Sequence, residues 1–206
     1  MKAKHNKILE LVQISMLAAL VVVLQLLSAM IPPIAGTVSI TLTLIPVVIG
    51  AVLFGKKGGT ILGFVFGLIV MINCITGLDP GGSILWNTNP ILTALICLVK
   101  GTLAGFIPAI VYTALTKNKI MSASKKFFST MLTAMLAPIV NTSIFVLGML
   151  TMFNKTLYEW SGGQPIMLYI LVGLAGLNFL IEFIINIVLT PAIIRIADII
   201  KKKTTR

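Results

Sequence analysis

Uncharged apolar stretches follow one another along most of this chain, separated by short segments rich in lysine, glycine or proline. The densest covers residues 43–70, TLIPVVIGAVLFGKKGGTILGFVFGLIV, where two apolar runs meet at Gly55-Lys56-Lys57-Gly58-Gly59. Gly59, Gly63 and Gly67 recur at every fourth position, and Ala51 and Gly55 carry the spacing upstream. On a membrane helix such small residues form one stripe and let another backbone come close. The stripe predicts either close packing inside the protein or a surface that slides or docks against a partner.

A bilayer core of about 30 Å needs about 20 helical residues to cross it. The pattern predicts six helices, over residues 8–30, 42–54, 60–75, 90–115, 127–152 and 166–200, the second of them short and interrupted by Pro46. Pro32-Pro33 stops the first, because proline lacks the amide donor and restricts its predecessor. The alternating stretch 34–43, IAGTVSITLT, reads as an extended segment re-entering the protein. Asp79-Pro80-Gly81-Gly82 is a turn signal inside a polar loop over 76–89. A second loop, 153–165, carries Tyr158, Glu159 and Trp160. The expected architecture is one all-α integral membrane domain over residues 1–206.

Composition agrees with that pattern. The chain is 58% hydrophobic with a mean hydropathy of +1.09, above the roughly 45–50% apolar content of soluble globules. A net charge of +11 could indicate a nucleic-acid partner. The placement of the charges argues for topology instead. Of the 16 basic residues, 14 fall on the side that holds both termini, at positions 2–7, 56–57, 117–126 and 195–206. The positive-inside rule then puts both termini in the cytoplasm and the loops 76–89 and 153–165 outside. The lysines ahead of the first run resemble a signal peptide, but the run is too long for a signal core and reads as a retained helix. Cys74 and Cys97 lie in apolar runs with no ligand-type spacing, so they read as small buried hydrophobes rather than a disulfide or metal framework.

The chemistry on offer is narrow. There is no GxxxxGK[ST] phosphate loop, no HExxH and no useful pair of carboxylates, so neither an enzyme nor an ATPase is expected, and no catalytic residue, metal or cofactor is assigned. Two charges lie within the spans, Lys100 and Glu182. Such charges are costly and mark functional positions by default, although an ion pair, snorkelling or helix-to-helix hydrogen bonding is the alternative. Glu182 shares a helix face with Asn178 and Asn186. In the outer half, Asn73, Trp86 and Asn87 cluster at one helix junction, with Asn141 and Thr142 in the fifth helix and Tyr158 in the following loop. Small hydrogen-bonding groups with a few aromatics suit a modest polar organic molecule better than an inorganic ion. An ion-coupled secondary transporter using Lys100, Glu182 and Asp79 remains open, as does a structural subunit that binds no small molecule.

The run IPVVIGAVLFGKKGGTILGFVFGLI, residues 45–69, resembles the signature of the substrate-binding S components of energy-coupling factor (ECF) vitamin transporters. The six-helix length and the Asn141-Thr142 pair also fit, and PVVIGAVLFG with LAPIVNTSIF looks most like the pantothenate branch. The resemblance implies a multi-pass protein of the bacterial plasma membrane. Such a protein binds a vitamin at its outer face and associates with a transmembrane T component and two cytoplasmic ATPases. It reorients in the membrane to deliver its cargo. Riboflavin, pyridoxine, thiamine and folate are the other vitamins this class allows. For pantothenate, Lys100 is the one embedded cation suited to the carboxylate, with Asn73, Trp86, Asn87, Asn141, Thr142 and Tyr158 as further candidate contacts. The resemblance also implies a docking surface for the T component on helix 1. Ser15, Ala18 and Ala19 match that place, with Ser15 where the family often has alanine.

Overall fold

A computed structural model describes residues 2–29, 42–117, 122–174 and 176–204. Pro32-Pro33 and most of the stretch 34–43 lie outside the described residues. Among those described, the elements are helical: α1 (Lys2–Ala29), α2 (Leu44–Thr76), α3 (Pro80–Thr88), α4 (Pro90–Leu115), α5 (Ala123–Met152), α6 (Asn154–Ser161), α7 (Ile166–Tyr169), a π-helical turn (Ile170–Leu174), α8 (Gly176–Val188) and α9 (Thr190–Thr204).

Four helices are long and apolar enough to cross a membrane, and a fifth candidate is the pair 166–174 and 179–188, bent by 43°. Their outer surfaces are apolar too: Leu11, Met16 and Ile91 are exposed. Several apolar helices of this length make a multi-pass membrane protein. The expected second and third helices are continuous in α2, with one break at Gly55. Its φ of 60° and ψ of −142° belong to a region open essentially to glycine alone. The two arms fold back there, since a Cβ on Gly50 would meet Leu62 and a Cβ on Gly58 would lie 2.6 Å from the Gly50 carbonyl. The first arm, from Leu44, is only about 16 Å long, shorter than a bilayer core. The sixth expected helix, 166–200, is a broken run of α7, the π turn, α8 and α9.

Two expected loops contain helices. Within 76–89, Asp79 caps α3 by accepting a hydrogen bond from the Gly82 amide at 3.1 Å, and Pro80 occupies the first helical position, where its missing N–H is harmless. Within 153–165, α6 follows α5 after Phe153. The apolar positions of these short helices are what hold them. Leu85 and Leu157 are buried with Ile96, Met149, Phe153, Ile170 and Leu174 in a small core at one end of the bundle.

The main core joins α1, α2, α4, α5 and α9. At its centre the glycine stripe of α2 packs on α4. A Cβ on Gly59 would run into the Gly105 carbonyl, one on Gly63 into the Gly101 carbonyl, and one on Gly67 would lie 2.5 Å from the Cys97 carbonyl. Gly101 answers in kind, with Gly63 O and Gly67 N each 2.6 Å from its own Cβ position. The stripe is therefore an internal seam for these residues. Helix α1 leans on α2 through Ile14, Leu17 and Val21. Its polar positions have local work: Gln25 accepts a hydrogen bond from the Thr43 hydroxyl at 2.6 Å, and Ser28 accepts one from the Leu42 amide at 3.3 Å. At the opposite end from α3 and α6, Lys126 pairs with Asp198 and ties α5 to α9.

Candidate functional site

Between the glycine seam and the cap formed by α3 and α6 lies a small cavity of about 30 Å³, room for about two water molecules. Val70 and Cys74 of α2 form one wall. Thr93, Ile96, Cys97 and Lys100 of α4 form another, with Phe145 of α5 beside them. Asp79, Gly81, Gly82 and Leu85 of the α3 segment and Trp160 of α6 close it. Gly82 is needed for this closure, because a Cβ there would strike the Cys74 sulfur.

Each polar group reaches the cavity for a local reason. Helical Cα–Cβ bonds tilt toward the helix N-terminus, and the N-terminus of α4 is at the α3 end. The Lys100 stem therefore leads its ammonium up toward the cavity, where it lies 5.0 Å from the centroid of the Phe145 ring, within cation–π range. Asn89 caps α4 through the Leu92 amide at 3.1 Å, which fixes the turn that carries Thr93. Cys74 and Cys97 face one another with their sulfurs 4.0 Å apart. Asn73, adjacent to Cys74, is 1% exposed, and among the described residues neither its side-chain oxygen nor its nitrogen has a hydrogen-bond partner. A buried amide left unpaired costs about 1–3 kcal/mol.

The residues singled out from sequence are distributed unevenly around this cavity. Lys100 lines it, and Asn73 sits next to it. Trp86, half-buried, packs on the main core. Asn87 is exposed, and Tyr158 is 64% exposed on α6. Thr142 lines a separate apolar groove of about 430 Å³ between α5, the π turn and α8. Asn141 is buried with an unpaired side-chain oxygen, but it is not level with Asn73. Gly67 abuts Cys97, and Gly148 abuts Ile96. Asn73 lies beyond Gly67 toward the cap, and Asn141 lies the other way from Gly148, so the two are roughly 20 Å apart along the bundle at the helical rise. Glu182 and Asn186 are buried on α8, with the Asn186 amide donating to the Glu182 backbone carbonyl at 2.8 Å. The side chain of Asn178 lies outside the described residues. On α1, Ser15 and Ala19 are exposed and Ala18 is half-buried against the core.

The sequence placed Asp79 and Trp160 in the outer half, Asp79 as a coupling group of an ion-coupled transporter, without choosing either as a vitamin contact, and it passed over Thr93, Phe145 and the cysteines as site residues. Phe145 stands one turn from Asn141, and the two cysteines both lie in the outer halves of their helices, but their meeting is a tertiary fact. The Lys100 cation and the Thr93 hydroxyl in an aromatic-walled cleft, with the Asp79 carboxylate at its α3 end, can bind a polar organic molecule.

Apolar helices of this length, with a small cleft under a two-helix cap, make a multi-pass membrane protein with room for a small ligand to approach. The chain matches the family described as "ECF transporter, substrate-specific component" over residues 9–194 and belongs to it. Members of that family bind a small-molecule vitamin and pair with T and ATPase components. Over 200 residues the chain is 28% identical to the pantothenic acid transporter PanT of Lactococcus lactis subsp. cremoris (strain MG1363), covering 93% of this chain and 94% of that protein.

Proposed function

We propose that this chain is the pantothenate-binding S component of its transporter, taking up the vitamin at the α3–α6 face. The observation that carries the reading is Lys100, an intramembrane cation whose head group reaches a cleft walled by Phe145 and Trp160. Pantothenate brings one carboxylate, together with hydroxyls and an amide. Lys100 takes the carboxylate, while Thr93 and the unpaired amide of Asn73 hydrogen-bond the polar remainder. The similarity to PanT supports this choice of vitamin. From Lys100 the cleft runs along Cys74 toward α3, so a single molecule extends toward Asn73 rather than toward Asn141.

A whole vitamin does not fit in about 30 Å³. Binding therefore includes outward displacement of α3 and α6, the two short helices that roof the cleft. Under this reading the chain makes six passes, counting both arms of α2 and the broken run from α7 to α9, with both termini and the Lys126–Asp198 end in the cytoplasm. Ser15 and Ala19, on the exposed side of α1, form with Ala18 the close-approach surface for the T component, and ATP is hydrolysed in the partner subunits. Ser15→Leu and Ala19→Leu are expected to abolish co-purification with the T component and leave vitamin binding intact; assembly that survives both changes removes helix α1 as the dock.

The test of substrate is a thermal-shift and mass-spectrometric screen of the detergent-purified chain against B vitamins. At 100 times its dissociation constant a ligand adds about 2.7 kcal/mol to folded-state stability. Stabilisation by pantothenate alone is expected. A shift with another vitamin instead discards pantothenate, and no shift with any vitamin overturns the reading.

A further inference from the structure

The two cysteines are unused by the proposed function, although both line its cleft. Their sulfurs are 4.0 Å apart, on different helices, and both thiols are free. Gly67, the last glycine of the seam, lies directly against the Cys97 backbone, and Cys74 follows two turns further along α2.

Two sulfurs at this separation offer a small cation a position between them. Among the described residues no group of three or more His, Cys, Asp or Glu side chains comes together. A four-coordinate zinc site of the usual kind is therefore not available here. The donors that are present, two thiolates and no third ligand, suit a soft cation that accepts two-coordination, and soft thiolate ligands select Cu(I). The charge also fits. Binding follows Cu⁺ + 2 RSH → [Cu(SR)₂]⁻ + 2 H⁺, with no change of oxidation state, so the product is an anion. An anion within the bilayer is costly unless compensated, and Lys100 lines the same cleft, with the Asp79 carboxylate at its α3 end.

We propose that Cys74 and Cys97 form a dithiolate site for a soft monovalent cation, with Cu(I) as its type, at the floor of the cleft and balanced by Lys100. Because the ion and the vitamin occupy one cleft, the bound ion excludes the vitamin. The metal site stands on the sulfur geometry alone; only the exclusion rests on the proposed function.

The experiment uses the full chain in detergent, reduced and under anaerobic conditions, titrated with Cu(I) buffered by a chromogenic chelator. One Cu(I) per chain is expected. Cys74→Ser and Cys97→Ser are each expected to weaken binding at least 100-fold, with a folded state verified by circular dichroism. Alkylation of both thiols in the wild-type chain must abolish the site as well, which keeps the test independent of how the variants fold. Lys100→Met is expected to weaken Cu(I) at least tenfold and leave Hg(II), whose dithiolate is neutral, unaffected. No binding in competition with the chelator, or equal binding in the Cys74→Ser/Cys97→Ser double variant, overturns the site. Pantothenate binding is read separately. A loss of at least tenfold with Cu(I) loaded supports exclusion, and unchanged vitamin binding overturns exclusion while leaving the metal site standing. A chain that binds Cu(I) through its cysteines but no vitamin at all fails the proposed function, not the metal site.

Discussion

Two stretches of the α2–α4 pair, a few turns apart, are built on opposite principles. Along Gly59, Gly63, Gly67, Gly101 and Gly105 the backbones touch, with no side chain between them and no room for one. Toward Thr93 the same helices diverge around a cleft lined by a cation, a carboxylate and two thiols, with the buried amide of Asn73 next to it in the chain. The seam gains from close packing, which is the main source of helix association in lipid. The cleft forgoes the packing that an apolar filling would supply. Under the proposed function the seam is the rigid floor against which α3 and α6 open.

The largest effect is expected at the seam. Gly101→Val drives a branched side chain into the backbone of Gly63 and Gly67, and overpacking of this kind costs about 3 kcal/mol. The purified protein should lose its sharp thermal transition; a variant that melts like the wild type means the seam is not tight. Gly55→Ala acts through backbone strain of about 1–3 kcal/mol and should lower the melting temperature by a measurable but smaller step.

The cleft is expected to answer with the opposite sign. Asn73→Leu removes an unpaired amide, so the ligand-free chain should gain about 1–3 kcal/mol while vitamin affinity falls. Calorimetry of the empty protein beside ligand titration reads both, and a variant that loses stability assigns Asn73 a structural partner instead. The smallest effect belongs to Asp79→Ala, which removes the α3 cap at a cost of about 1 kcal/mol. Faster hydrogen exchange confined to residues 80–88 would register it, and unaltered exchange there would show that packing of Leu85 suffices.

This division between seam and cleft was half legible in the sequence. The glycine spacing, the Gly55 break and α4 from Pro90 to Leu115 follow from local chemistry: small residues at helical spacing, a glycine-only backbone, a proline behind an Asn cap. The repeat alone could not say which helix receives the stripe, since its partner glycines are on α4. Helices α3 and α6 read as loops because Gly81, Gly82, Gly162 and Gly163 weigh against helix, whereas Leu85 and Leu157 hold them by tertiary burial. The π turn carries no proline to announce it, whereas Pro191 stands at the break between α8 and α9. Lys100 was recognisable because a lysine inside an apolar run is conspicuous. The meeting of Cys74 with Cys97, and the separation of Asn73 from Asn141, depend on helix register, which a single chain of letters does not encode.

The most direct test of the central claim, that Lys100 in this cleft holds the carboxylate of pantothenate, is a two-by-two binding measurement. Wild type and Lys100→Met are each titrated with pantothenate and with the analogue in which its carboxylate is replaced by a primary alcohol. A charge-assisted hydrogen bond is worth about 1.5–3 kcal/mol, so the wild type should prefer the acid by at least tenfold and the variant should have lost that preference. Equal preference for the acid in both proteins would contradict the account.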